Sequence, residues 1–184
     1  MKLSALGYTL VELLVVTAII AILAVVGVVN FKDSSTEQFM TKGVGDIQTR
    51  LRQAQSNASS GTLCDGHGAI IWYVKFTDEF TMELDCNAGV SPKTYTLENT
   101  KVAIKGDEDC IIADGSASYP FPATFSYSPG ASRQTISSTG ASDACLSSQV
   151  ITLSISSTKN PSLAPKTLKV SQGGAINVAS TPTP

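Results

Sequence analysis

The residues of this 184-residue chain that could do chemistry are few and scattered. His67 is the single histidine, set in the glycine-flanked run "DGHG". Together with Cys64 it offers two zinc ligands, but a structural zinc needs four at suitable spacing. Cys86 is far off and no C-x-x-C occurs, so zinc is not expected. The run "GDEDCIIADG" gathers Asp107, Glu108, Asp109 and Asp114. Such oxygen ligands suit calcium, yet the spacing of a calcium-binding loop is absent, and a solvated acidic loop is the expected reading. No G-x-S-x-G elbow supports a Ser-His-Asp arrangement. An enzyme is therefore not expected, nor a cofactor, nor a metal. One carboxylate stands out by its setting. Glu12 lies at the start of "GYTLVELLVVTAIIAILAVVGVV", which is apolar from Leu13 to Val29 except at Thr17. A charge held in an apolar layer is costly and is functional by default, although the cost falls near a helix end.

The balance of charge narrows the partners. The formal net charge is −2, which gives no electrostatic reason to expect nucleic acid. The one candidate face holds Lys159, Lys166 and Lys169, with no acid after Asp143. Three lysines neutralise few phosphates, and no aromatic beyond Tyr127 could stack on bases. Ordinary surface lysines are the favoured reading. Four cysteines, Cys64, Cys86, Cys110 and Cys145, all follow the hydrophobic run. An even count there reads as up to two disulfides. Three connectivities are open. The sequence-local one, Cys64–Cys86 with Cys110–Cys145, is preferred as the simplest for a head built of hairpins.

The apolar run admits three readings. A cleaved secretory signal has a shorter core and a small-residue cleavage site, which does not follow Val29. A plain membrane anchor fits the length. Neither accounts for Glu12. The pattern Gly7-Tyr8-Thr9-Leu10-Val11-Glu12, with a short basic leader before it and an apolar helix after it, closely resembles the class III leader of type IV pilins and pseudopilins. The resemblance implies that a prepilin peptidase cuts between Gly7 and Tyr8 and N-methylates the new amine of Tyr8. It also implies that Glu12 receives the Tyr8 amine of an incoming subunit during assembly. Opposite charges in an apolar layer attract strongly because leaving either unpaired is costly. The apolar helix is then an anchor first and a filament core afterwards.

Those residues need elements to carry them. Residues 1–7 read as leader, 8–29 as transmembrane and filament-core helix, and 30–61 as an amphipathic half. Ser34-Ser35-Thr36-Glu37 has the form of a capping box, so a helix is expected to start afresh near Ser34. Met40, Val44, Ile47, Leu51, Ala54 and Ala58 then make a narrow apolar stripe suited to packing on a sheet. Gly43 and Gly45 weaken that helix by about 1 kcal/mol each. Gly61 ends it.

Residues 62–178 read as a β-rich head. Ala69–Phe76 and Phe80–Cys86 form a hairpin, with strands at Thr94–Leu97, Val102–Lys105, Phe121–Pro129 and Ser148–Ser156, and two short strands within Lys166–Val178 about a turn at Gly173-Gly174. Residues 179–184 are Pro/Thr-rich and expected to be disordered. The order of elements resembles the GspH/FimT-type minor pseudopilins and pilins, whose last hairpin often carries arginines after the glycine. In some members those arginines bind DNA; here Ala175, Ile176 and Asn177 stand in that place, a departure that weighs against nucleic acid as a partner without excluding it.

The fold class expected is therefore α+β: a long N-terminal helix, half transmembrane and half amphipathic, packed on an antiparallel β-sheet head. The function implied is a structural subunit of a type IV pilus or type II secretion-like pseudopilus. The alternative is a pilus-borne DNA-uptake or adhesion subunit whose head binds the ligand. Implied partners are other pilin subunits in a helical filament, the prepilin peptidase and a membrane-embedded assembly platform. The implied location is the bacterial cytoplasmic membrane as a single-pass prepilin, then an extracellular or periplasmic filament.

Overall fold

Thr9 opens helix α1 (Leu10–Ser60) from extended backbone, and its Oγ1 accepts the Glu12 N–H at 3.2 Å. That bond satisfies one of the donors a helix start leaves free. At the far end Gly61 takes the left-handed conformation at φ 64°. Its N–H reaches Ala58 O and the Thr62 N–H reaches Asn57 O, the pair of bonds that closes a Schellman cap. Between these caps run 51 residues, about 77 Å of helix at 1.5 Å per residue. The computed structural model describes residues 9–64, 67–68, 71–86, 92–106, 120–129, 134–138, 150–171 and 173–179, without the side chains of 25–33, 67–68 and 134–138.

The strands follow in chain order. β1 (Leu63–Cys64) and β2 (His67–Gly68) form a small pair after the helix. β3 (Trp72–Phe76), β4 (Thr81–Cys86), β5 (Lys93–Thr96), β7 (Ala123–Tyr127) and β8 (Gln134–Ser138) make a five-stranded sheet in the order β5-β4-β3-β7-β8. β6 (Thr100–Lys105), β9 (Val150–Ser157), β10 (Lys166–Ser171) and β11 (Ile176–Ala179) make a four-stranded sheet in the order β11-β10-β9-β6. Every pairing is antiparallel. The chain changes sheet between β5 and β6 through a turn in which Asn99 has φ 54°.

Alternation along the strands decides which face is apolar. Val74, Phe76, Met82, Leu84, Ala123 and Phe125 line the inner face of the larger sheet. Val102, Ile104, Ile151, Leu153, Ile155, Leu168 and Val170 line that of the smaller one. Both faces turn toward α1, which touches strands of both sheets and shares one core with them. The stripe from Met40 to Ala58 is the helix's share, each member no more than 5% exposed. Phe76 and Phe125 meet edge to face at 5.8 Å. Gly43 lets the helix come close, since a Cβ there would stand 3.1 Å from Thr100 Oγ1, whereas Gly45 faces open space. A glycine that costs helix propensity thus serves packing.

The expected fold class is corrected in its transmembrane half. Among the described residues no helix is long and apolar enough to cross a membrane. The expected residence as a single-pass protein of the bacterial cytoplasmic membrane is corrected on the same finding. The head is built of antiparallel sheets as expected, and the two larger ones pack on the helix's C-terminal half. The helix also does not restart near Ser34 but runs unbroken through it. A capping box marks a beginning only where the preceding chain is not already helical, and here it is.

Candidate functional site

Among the described residues, the large apolar side chains from Leu10 to Leu23 of α1 stand exposed, unlike those of the helix's C-terminal half. Leu10 is 80% exposed, Ile20 59% and Leu23 65%, and seven further Leu, Val and Ile residues between them lie near or above half exposure. They are distributed all round the helix rather than along one stripe. The hydroxyl of Thr17, the polar interruption, donates to Leu14 O at 2.9 Å and so stays within the helix's own bonding. Thr9 fixes the start of this half, with the Leu13 N–H bonded to Thr9 O at 3.2 Å.

Glu12 sits in the first turn, where the helix macrodipole favours an anion. Its carboxylate makes no ion pair among the described residues. Gly7 and Tyr8, the expected cleavage and N-methylation positions, lie outside the described residues. The site as described is therefore a capped, acid-bearing helix end followed by unpartnered apolar surface.

Three lysines hold the middle of α1 to the head. Lys166 Nζ donates to Thr41 Oγ1 at 2.7 Å and reaches Glu37 Oε1 at 3.4 Å. Lys42 pairs with Glu98 at 2.9 Å, which holds its ammonium above the ordinary lysine range. Lys159 lies 5.6 Å over the Phe39 ring. The C-terminal lysines are thus not gathered on one face. Lys159 and Lys166 turn to the helix, and only Lys169 points outward from the smaller sheet. Sequence reading missed this tether because its partners lie 56 to 129 residues apart.

Of the cysteines, Cys64 and Cys86 form a disulfide that joins β1 to β4. Cys110 and Cys145 lie outside the described residues, as do Asp107, Glu108, Asp109 and Asp114. His67 lies in β2 with its side chain undescribed. Among the described residues no group of three His, Cys, Asp or Glu could hold a metal ion. Burial pushes the Tyr127 phenol well above its ordinary pKa, and its hydroxyl has no hydrogen-bond partner among the described residues. No family model, curated protein or solved structure matches the chain.

Proposed function

We propose that the chain is a structural subunit of a pilus-like filament, released from its leader between Gly7 and Tyr8 and assembled through the N-terminal half of α1. The observation that carries this reading is the contrast within one helix. Met40 to Ala58 is buried against the head, while Leu10 to Leu23 offers ten large apolar side chains to a partner. Fully burying such a side chain is worth about 1.5–3 kcal/mol. Each is already partly covered by its own helix, so the half represents on the order of 10 kcal/mol of gross association energy before ordering costs. Packing against the same half of other copies removes that surface from water. Glu12 then receives the Tyr8 amine of the next copy, which fixes register.

The test combines processing with assembly. Intact mass of filament protein should show a chain beginning at Tyr8, with or without an N-methyl group. Glu12→Ala should leave cleavage unchanged and lower the yield of sheared filaments, because it strands an amine in an apolar layer. Removing one partner of a truly buried pair typically costs about 3–5 kcal/mol. A mature terminus after Ala24 or Gly27, or mutant filaments at wild-type abundance, would sink the proposal.

A further inference from the structure

A groove of about 480 Å³ opens on the head where the last turns of α1 meet the ends of β3, β4 and β5. Its size lies within the range of small-molecule sites, which are typically about 300–1,000 Å³. Register decides which side chains enter it. Residues directly opposite on antiparallel strands point to the same side of the sheet. Trp72 pairs with Cys86, and Leu84 with Lys93, so these four leave the sheet on the side that faces α1. Asp85 alternates with Leu84 and Cys86 along β4. It points to the opposite side with its partner Tyr73, whose hydroxyl donates to Asp85 Oδ2 there at 2.8 Å. Among the described residues the groove therefore receives an ammonium and no carboxylate.

The floor is apolar. Leu84 and the Cys64–Cys86 disulfide are buried there beside Trp72. The Trp72 Nε1–H donates to Thr62 O at 3.3 Å, so the indole's one donor is engaged and only carbon surface is left for a ligand. The helix wall donates. Gln53 and Asn57 are four residues apart on α1 and line the same side of the groove. Gln53 Oε1 accepts from Arg50 Nη1 at 2.9 Å, which leaves its amide NH₂ to donate. The Asn57 side chain makes no hydrogen bond among the described residues. Lys93 is exposed and forms no ion pair among them. Arg50 stacks over the Tyr95 ring at 3.9 Å and likewise meets no acid among them. The cation behind Gln53 thus adds to that of Lys93.

We propose that this groove binds an apolar monocarboxylate, a small acid whose body is a ring or a short hydrocarbon chain. The body lies on Leu84, the disulfide and Trp72, where its removal from water supplies affinity. The carboxylate meets the Lys93 ammonium and the amide NH₂ groups of Gln53 and Asn57, donors for both of its oxygens. Charge sets the preference. A neutral isostere keeps the apolar contact and loses the attraction to Lys93, while an ammonium of the same shape meets Lys93 with like sign. Acetate keeps the charge and loses the body. The groove lies on the head, apart from the exposed half of α1. Its occupancy therefore does not depend on the filament reading, and either can fail without the other.

The chain has a single tryptophan, Trp72, whose fluorescence and indole N–H resonance both report on the groove. The full chain, held in a zwitterionic detergent, is titrated with cyclohexanecarboxylate, which does not absorb where tryptophan does. Cyclohexanecarboxamide, cyclohexylamine and acetate serve as the neutral, cationic and bodiless arms. The carboxylate should give a saturable change in at least one of the two signals, in about the millimolar range expected of so small a ligand. It should bind more tightly than any other arm. Lys93→Gln should weaken the carboxylate about three- to tenfold, the worth of a lost hydrogen bond, and leave the carboxamide where it was. A merely structural role for Lys93 would move both ligands together. Lys93 is exposed, so its variant tests binding without testing folding. Three results overturn the proposal: no saturation by the carboxylate at roughly tens of millimolar, an amide, amine or acetate that binds as tightly, or a preference for the carboxylate that survives Lys93→Gln.

Discussion

Ile20 and Ile47 carry the same side chain on the same helix, yet truncating them should have opposite consequences. Ile47 is fully buried between α1 and the sheets, while Ile20 is 59% exposed. Ile47→Ala removes atoms from a packed core and leaves a cavity, which typically costs about 2–5 kcal/mol of stability. Ile20→Ala removes atoms that face solvent in the free chain. Its effect on unfolding should lie within about 0.5 kcal/mol, and alanine's helix propensity favours the variant slightly. Assembly reverses the order of severity. The exposed part of Ile20 is worth about 1–2 kcal/mol once covered, so the subunit concentration at which filaments appear should rise about five- to thirtyfold. Urea unfolding followed by Trp72 fluorescence reads the first quantity, and pelleting across a concentration series reads the second. Two results would refute the reasoning. One is an unfolding midpoint lowered as much by Ile20→Ala as by Ile47→Ala. The other is a threshold for filament formation that Ile20→Ala does not move.

Other consequences can be measured on the head alone. The Cys64–Cys86 bond closes a sequence separation of 22, for which the chain-entropy account gives about 3 kcal/mol; paired replacement by serine should lower stability by that order in denaturant titration, and non-reducing peptide mapping should recover the Cys64–Cys86 peptide. The Tyr73 phenol is pushed up from 10.0 to about 12, first by burial and then by its bond to Asp85. Because the folded pKa lies above the unfolded one, this group favours folding below about pH 10 and loses that contribution as pH rises through about 12; Asp85→Asn should bring the tyrosinate absorbance change to lower pH. Gly174 has φ 81°, and a Cβ there would run into the Gln55 amide nitrogen, whereas at Gly61, with φ 64°, the surrounding space is open. Gly61→Ala should cost about 1 kcal/mol from backbone strain alone; Gly174→Ala should cost more, with part recovered when Gln55→Ala is added, as a double-mutant cycle would show.

What could be read from the chain depended on how local the signal was. The spacing of Met40, Val44, Ile47, Leu51, Ala54 and Ala58 follows the helix period, and all six are buried. Strong alternation marked β3 and β4, although β3 begins at Trp72 rather than at Ala69. β8 (Gln134–Ser138) escaped notice because "QTISS" has one apolar residue and takes its place only by pairing with β7. The capping box at Ser34 misled because local capping chemistry is overridden when helix propagates into it from upstream. The division of strands between two sheets was not legible, since alternation gives an inner face without saying which neighbour a strand takes. The candidate assembly site was legible through Glu12 and the apolar run.

The position of the disulfide has a mechanical consequence. Cys64 follows the helix cap at Gly61 by three residues and is covalently tied to Cys86, at the end of a strand flanked by β3 and β5. A pull along α1 that tears the helix from the head can pay out only the four residues from Ser60 to Cys64, about 14 Å of extended chain, before the crosslink takes the load. Without the bond the slack would run to Trp72, twelve residues and about 42 Å. With it, force passes from the helix into β4, whose ladders to β3 and β5 resist together, instead of peeling the short β1–β2 pair one bond at a time. The crosslink thus makes the head a short, stiff anchorage for whatever tension the helix carries.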